Sequence, residues 1–193
     1  MFPVISIGWW VMPALSSNNQ KILLQLARCS IQTYLERKTA PVFESPAAEF
    51  LLPRGCFVTL RKFGKLRGCI GTFDASSPLF ENIIRISAES AFSDPRFPPL
   101  AEAELKDIRI EISVLGEPQK MNSIEELELG KHGILIKYGY RQGTFLPDVA
   151  TEQNWSREEF VSHCAFEKAG LSREEYALAE FFIYEVEKFS ENY

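Results

Sequence analysis

Residues 56–72 read CFVTLRKFGKLRGCIGT. Its first six residues, Cys56 to Arg61, are rich in β-branched and aromatic side chains, which strands favour. Phe63–Gly64–Lys65 supplies a turn, and residues Leu66 to Thr72 continue as a second extended run. The stretch therefore predicts a β-hairpin whose second arm carries cationic, glycine and thiol residues side by side.

Elements on either side of this hairpin complete the predicted fold. Apolar spacing and capping residues predict helices over residues 18–37, 78–93 and 156–169, the first opened by Ser17 with Gln20 at capping-box spacing. Strands are predicted over residues 108–115 and 180–189, and a second hairpin over residues 133–146 ends at Pro147. The rhythm of parallel βαβ units is absent. The fold class is therefore α+β, an antiparallel sheet flanked by helices.

Length and charge limit the classes of function. The chain has 193 residues, 46% of them hydrophobic, which is ordinary for one globular domain. Its formal net charge is −5, and Lys and Arg form no run or stripe. This balance argues against a primary nucleic-acid binder and against docking on an anionic membrane surface.

The first fifteen residues, Met1 to Leu15, are strongly apolar and contain Trp9–Trp10. A signal peptide would require a positively charged residue near its start, but no Lys or Arg precedes Lys21. Prolines bracket the apolar run, which is too short to span a bilayer. Two interpretations stay open: an arm packed on the body of the domain, or a patch covered by a partner. Because large exposed apolar patches are rare on monomers, packing on the body is favoured.

The four cysteines are Cys29, Cys56, Cys69 and Cys164, and no two of them have the spacing of a zinc site. A chain of this size needs no disulfide, so we expect reduced thiols and a cytoplasmic protein. The two histidines are isolated, which gives no metal site. The usual nucleotide, hydrolase and zincin motifs are missing, and no cofactor is expected.

Several ordered motifs resemble those of one known family, the AMMECR family. The resemblance runs from about Asn18 to the C-terminus and rests on LRGCIGTF (66–73), DPRFPP (94–99), IEISVL (110–115), GKHGI (130–134), FLPDVA (145–150), Trp155 and KAGL (168–171). It implies an AMMECR domain over residues 18–193, preceded by an apolar arm over residues 1–17. It also implies a larger α+β lobe, a smaller lobe and a cleft between them. Prokaryotic members are associated by name with Memo-like and radical SAM proteins, which become the expected partners.

Cys69 is the first candidate for a functional residue, as a tentative catalytic nucleophile. In a regular strand, side chains two apart share a face, so Arg67 would lie beside Cys69 and could lower the pKa of its thiol. Gly68 and Gly71 would let a ligand approach the backbone closely, and Thr72 continues this predicted substrate-binding segment. The alternative is that Cys69 is a small buried core residue, as most free cysteines are.

The other candidates come from three further motifs. Asp94 and Arg96 flank Pro95 and could present a rigid carboxylate and guanidinium to a substrate, or form an internal structural pair. Glu111 shares a strand face with Arg109 and Ser113, as a tentative acid or base or as part of a solvated face. His132 opens the second hairpin, as a tentative partner of the Cys69 thiol or as a surface residue.

Two functions remain open on these residues. The leading one is a pocket for an unknown small molecule or a modified residue, centred on residues 66–71, with or without enzyme activity. The other is a non-catalytic adaptor, in which the motifs build the fold and the apolar arm or a sheet edge docks a partner.

Overall fold

The computed structural model describes residues 14–44, 46–73 and 75–191. Within these ranges the helices are α1 (Ser17–Arg37), α2 (Leu79–Phe92), α3 (Pro147–Gln153), α4 (Arg157–His163) and α5 (Arg173–Tyr176). The strands are β1 (Cys56–Lys62), β2 (Lys65–Thr72), β3 (Ile108–Leu115), β4 (Gln119–Lys120), β5 (His132–Tyr138), β6 (Arg141–Phe145) and β7 (Glu180–Ser190). The prediction for Met1 to Pro13 lies outside the described residues.

The strands form one curled antiparallel sheet, which confirms the predicted α+β class. Its order is β2-β1-β3-β7-β5-β6, and the short β4 pairs with β7. Every described pairing is antiparallel. Both predicted hairpins are present, as β1–β2 and β5–β6.

Strand β7 joins the two halves of the sheet, because its 11 residues pair with β3 at one end and β5 at the other. Its Phe189 packs into a core formed with α1 and α2, and its Ile183 packs into a second core formed with α4. Between them, on the opposite face of the sheet, a small third cluster holds Leu115, Leu135 and Tyr184. One long strand therefore carries both cores.

Helix α1 begins at Ser17, one residue earlier than predicted, because its N-cap is Ser16 and not Ser17. The Ser16 hydroxyl accepts a hydrogen bond from the Asn19 amide at 3.2 Å, while the Gln20 side chain donates to the Leu15 carbonyl and to Glu187. Leu15 is buried, and its own amide donates to Glu187. The chain just before α1 is thus held against β7.

Two other segments differ from the sequence-based prediction. Pro147 ends the second hairpin as predicted, yet it also opens α3, since proline suits the first helical turn. The helix predicted over residues 156–169 is α4 followed by one π-helical turn, Cys164–Lys168. Its predicted capping box, Ser156 with Glu159, is present.

Gly68 is a structural requirement of the contact between β2 and α2. A Cβ placed there would lie 2.2 Å from the backbone carbonyl oxygen of Ser90 in α2, so strand or helix would have to move. We expect Gly68→Ala to lower the free energy of unfolding by at least about 2 kcal/mol, as overpacking of a core contact does. Urea unfolding followed by circular dichroism measures it.

The matched control is Gly64→Ala at the hairpin turn, where no atom lies within 4 Å of the added Cβ. There the loss should be about 1 kcal/mol, because φ is +76° and only the left-handed backbone is strained. Equal losses at both glycines would contradict the assigned contact.

Candidate functional site

Cys69 lies in the edge strand β2, and two side chains hold its peptide groups from outside the sheet. The backbone amide of Cys69 donates to Asp94 Oδ2 at 2.8 Å, and its carbonyl accepts from Arg96 Nη2 at 3.0 Å. Arg96 also donates to both carboxylate oxygens of Asp94, at 2.9 and 2.7 Å. This Asp94–Arg96 fork therefore occupies the place that a further strand would take beside Cys69.

The fork combines a buried carboxylate with an exposed guanidinium. The side chain of Asp94 is 2% exposed, whereas that of Arg96 is 53% exposed. Hydrogen bonds from Arg96 and from the Cys69 amide outweigh burial and lower the pKa of Asp94 to about 2. Asp94 is thus an internal structural residue, whereas Arg96 also faces solvent, and the role of this pair in binding a substrate stays a prediction.

Across the hairpin, Cys69 is paired with Thr59 of β1. The amide and the carbonyl of Cys69 bond to the fork, so Cys69 and Thr59 form a non-hydrogen-bonded pair of the ladder, in which the side chains lie closer together. Cys69 Sγ lies 3.2 Å from Thr59 Oγ1 in a hydrogen bond. Burial raises the pKa of the Cys69 thiol, and the Thr59 hydrogen bond and the Arg96 charge offset this only in part. The thiol is therefore protonated at neutral pH, which makes it a weak nucleophile.

A row of polar side chains continues from Cys69 across the sheet. Thr59 pairs with Glu111 of β3, whose carboxylate lies 3.1 Å from the Lys188 ammonium of β7. Lys188 also reaches Asp148 in α3 at 2.5 Å. Burial acts to lower the pKa of Lys188, but hydrogen bonds to the two carboxylates outweigh it, so the pKa is raised. We name these five residues, Cys69, Thr59, Glu111, Lys188 and Asp148, the Cys69 row.

Arg67 does not join the Cys69 row. The β1–β2 register shifts at Leu60/Arg61, so regular alternation fails there. The Arg67 guanidinium instead binds the Glu104 carboxylate through two hydrogen bonds, at 3.1 and 2.9 Å, and the Pro98 carbonyl at 3.0 Å. The cation that acts on the Cys69 thiol is Arg96, where the sequence suggested Arg67.

The glycines of the motif are covered by the protein itself. The space beside Gly68 holds the Ser90 carbonyl, and an added Cβ at Gly71 would lie 2.1 Å from the Phe57 ring. Thr72 ends β2 opposite Cys56, away from the row. The structure thus brings together Cys69, Asp94, Arg96 and Glu111, but assigns Gly68 and Gly71 to packing.

His132 lies far from Cys69 along the sheet. It opens β5, which is four strand spacings from β2, or about 19 Å measured along the sheet. Its Nδ1 accepts a hydrogen bond from the Glu128 amide at 3.2 Å, within its own loop. The predicted Cys69–His132 couple is therefore not assembled.

Beside Lys188 the sheet face opens into a hollow of about 350 Å³, which we name the Ser113 hollow. Ser113 is 1% exposed, and its hydroxyl has no hydrogen-bond partner among the described residues. An unpaired buried hydroxyl costs about 1–3 kcal/mol, so a polar ligand there would be favoured. The walls are Ser113, Gly130, Lys131, Leu146, Pro147, Asp148, Glu185, Val186 and Lys188.

Sequence reasoning missed Thr59, Lys188 and Asp148 as members of this site. The hairpin register could have paired Thr59 with Cys69, had the bulge been known. Nothing local marks Lys188, because its role follows from β7 lying beside β3. Within residues 14–44, 46–73 and 75–191, no group of three or more His, Cys, Asp or Glu is placed to hold a metal ion.

The depressed pKa of Asp94 predicts a pH-dependent stability. Because the folded-state pKa, about 2, lies below the ordinary 3.8, the contribution is complete above about pH 5 and is lost as pH falls toward 2. We expect Asp94→Asn to cost about 2 kcal/mol near neutral pH and progressively less below about pH 5. Urea unfolding of both proteins across this range measures the difference.

The control is Glu152→Gln, an exposed carboxylate of α3, whose effect should be small at every pH. A loss for Asp94→Asn that stays constant from about pH 7 to about pH 2 would show that the carboxylate charge does not stabilise the fork.

Comparison with known proteins places this geometry in a family. The family model described as AMMECR1 matches residues 24–189. The chain is 37% identical to Protein MK0488 of Methanopyrus kandleri over 182 residues, which cover 89% of this chain and 87% of that protein. It is 41% identical to Protein Mbar_A1807 of Methanosarcina barkeri over 157 residues, 77% of each chain.

A solved structure shares the architecture. The crystal structure of the uncharacterized protein PH0010 from Pyrococcus horikoshii superposes with a TM-score of 0.83 at 31% identity, covering 89% of this chain and 91% of that one. The match therefore extends over most of the chain. On these grounds the chain belongs to the AMMECR1 family.

Proposed function

We propose that the chain binds a small polar molecule, or a modified residue of another protein, on the sheet face that carries the Cys69 row and the Ser113 hollow. The observation that carries the proposal is the continuity of these two features through Lys188, which contacts Glu111 in the row and lines the hollow. Thiol, hydroxyl, carboxylate and ammonium groups from separate segments meet there. Such convergence of polar groups beside a concave surface is typical of a ligand site.

The exposed side of the fork supports the same proposal. Arg96 uses Nε and Nη2 to hold Asp94 and Cys69, while its Nη1 makes no hydrogen bond with a described residue. A guanidinium fixed in this way has lost much of its rotamer freedom before a ligand arrives. The Arg96 end would hold an acceptor group of the ligand, and the Ser113 end would hold another polar group.

The protonated thiol favours binding over covalent catalysis as the role of Cys69. A cysteine nucleophile needs a lowered pKa, usually from a nearby cation, and burial here acts in the opposite direction. Glu111 remains the candidate acid or base of the face, positioned by Lys188. An enzyme of this family would then act by proton transfer on a bound ligand rather than through a thioester or other thiol adduct.

The cellular setting of the proposal follows from the family resemblance. We propose that the chain works in the cytoplasm with Memo-like and radical SAM proteins, and that the face between the two halves of the sheet is the predicted cleft. All four cysteines are free thiols, in keeping with a reducing compartment. Among the residues that the structure describes, no helix has the length and apolar character that crossing a membrane requires.

The ligand site can be tested by screening pools of polar metabolites against ¹⁵N-labelled protein by NMR. A true ligand should shift the amides of Cys69, Thr59 and Glu111 together. Glu111→Gln should weaken its binding at least about tenfold, equivalent to about 1.4 kcal/mol, because the polar row is broken. Glu152→Gln, which removes a distant exposed carboxylate, should leave the affinity unchanged.

Two outcomes would contradict the proposal. Ligands whose shifts map away from the Cys69 row would place the site elsewhere. The second outcome is that Glu111→Gln and Lys188→Met leave the activity of the chain with the proposed Memo-like and radical SAM partners intact, whereas changes at a sheet edge abolish it. The chain would then act as a non-catalytic adaptor.

A further inference from the structure

In the Ser113 hollow, the Lys188 ammonium is shared between two carboxylates. It lies 3.1 Å from the Glu111 carboxylate, which is 17% exposed on the sheet, and 2.5 Å from the Asp148 carboxylate of α3. One positive charge thus faces two negative ones, and the group of three has an excess of one negative charge. An anion that entered the hollow would meet a cation whose charge its own partners already exceed.

The second ammonium of the hollow has the same arrangement. Lys131 lies 3.3 Å from the Glu128 carboxylate and 3.6 Å from the Glu185 carboxylate. These three side chains are each more than half exposed, so solvent screens their charges more than those of the Lys188 group. Both groups nevertheless have the same sign of net charge, and together they favour a cation in the hollow.

Two further features of the walls select the kind of cation. The buried Ser113 hydroxyl, which has no hydrogen-bond partner among the described residues, can accept a hydrogen bond from an N–H group. Leu146, Pro147 and Val186 add apolar surface to the same hollow. An ammonium group on an aliphatic stem matches both features, because it offers three N–H donors and an apolar body.

We propose that the Ser113 hollow binds a primary alkylammonium group, from a free amine or from a lysine side chain of another protein. The ammonium would lie between the Ser113 hydroxyl and the carboxylates of Asp148 and Glu185, all of which line the hollow. Its aliphatic stem would pack on Leu146 and Val186. This inference rests on the proposed function, and it names the chemical group that the ligand presents at this end of the sheet face.

The probes are n-butylamine, which is protonated at neutral pH as lysine is, and butyrate, an anion with a similar stem. Each is titrated into the ¹⁵N-labelled full chain at about pH 7.5 and constant ionic strength. We expect butylamine to shift the backbone amides of Ser113, Asp148 and Val186 along a saturable NMR curve, and butyrate to leave them nearly unchanged. Nα-acetyl-lysine amide separates the two sources, because tighter binding than that of butylamine indicates a lysine side chain and weaker binding a free amine.

The variant Ser113→Ala separates ligand binding from folding. It removes an unpaired buried hydroxyl, so the urea midpoint of unfolding should stay the same or rise. The butylamine affinity should fall at least about tenfold, because a hydrogen bond to a charged group is lost. Ser87→Ala is the matched control, since the Ser87 hydroxyl is also buried and unpaired among the described residues but lies in α2, outside the hollow. It should leave the butylamine affinity unchanged.

Butylamine shifts that are linear or absent at the hollow would overturn the inference. So would butyrate binding there as tightly as butylamine, or Ser113→Ala binding butylamine as tightly as Ser87→Ala does. The metabolite screen decides the proposed function separately. A ligand without an ammonium group that shifts the amides of Cys69, Thr59 and Glu111 would uphold the binding face and overturn only the ammonium preference.

Discussion

The hydrogen bonds between the Asp94–Arg96 fork and the Cys69 peptide are the interaction on which the candidate site depends. An edge strand normally leaves a row of backbone donors and acceptors unpaired. Here a buried carboxylate accepts from the Cys69 amide, and a guanidinium donates to its carbonyl. A carboxylate buried alone would be costly. Here the paired Arg96 and the amides that point at the Asp94 carboxylate offset that cost.

The fork acts together with the contacts that fix α2 on the hairpin. The Ser90 hydroxyl accepts from the Ile70 amide and donates to the Val58 carbonyl, and Gly68 admits the Ser90 backbone. Helix α2 and the segment that follows it therefore contact β2 at the successive residues Gly68, Cys69 and Ile70. With β2 held in this way, the Cys69 thiol lies against Thr59 on the polar face of the sheet.

Much of this could be predicted from the local sequence, and the rest depended on contacts between distant segments. Alternation along residues 108–115 correctly separated the buried Ile110, Ile112 and Val114 from Glu111, which the structure leaves on the polar face. The same rule failed at Arg67, because the bulge in β1–β2 is set by pairing rather than by composition. His132 could not be placed from sequence, since its distance from Cys69 is decided by the strand order. Lys188 belongs to the row for the same reason, because β7 lies beside β3.

In the proposed binding face, Cys69 is a protonated thiol on a peptide that the fork holds in place, and it is not an activated nucleophile. The most direct test of this claim is the pKa of the thiol, measured by NMR titration of protein labelled with ¹³Cβ-cysteine, with Cys69→Ala assigning the signal. We expect a pKa above 9.0, the ordinary value for cysteine, because burial outweighs the Thr59 hydrogen bond and the Arg96 charge. A pKa below about 7.5, in the range of catalytic thiolates, would contradict it.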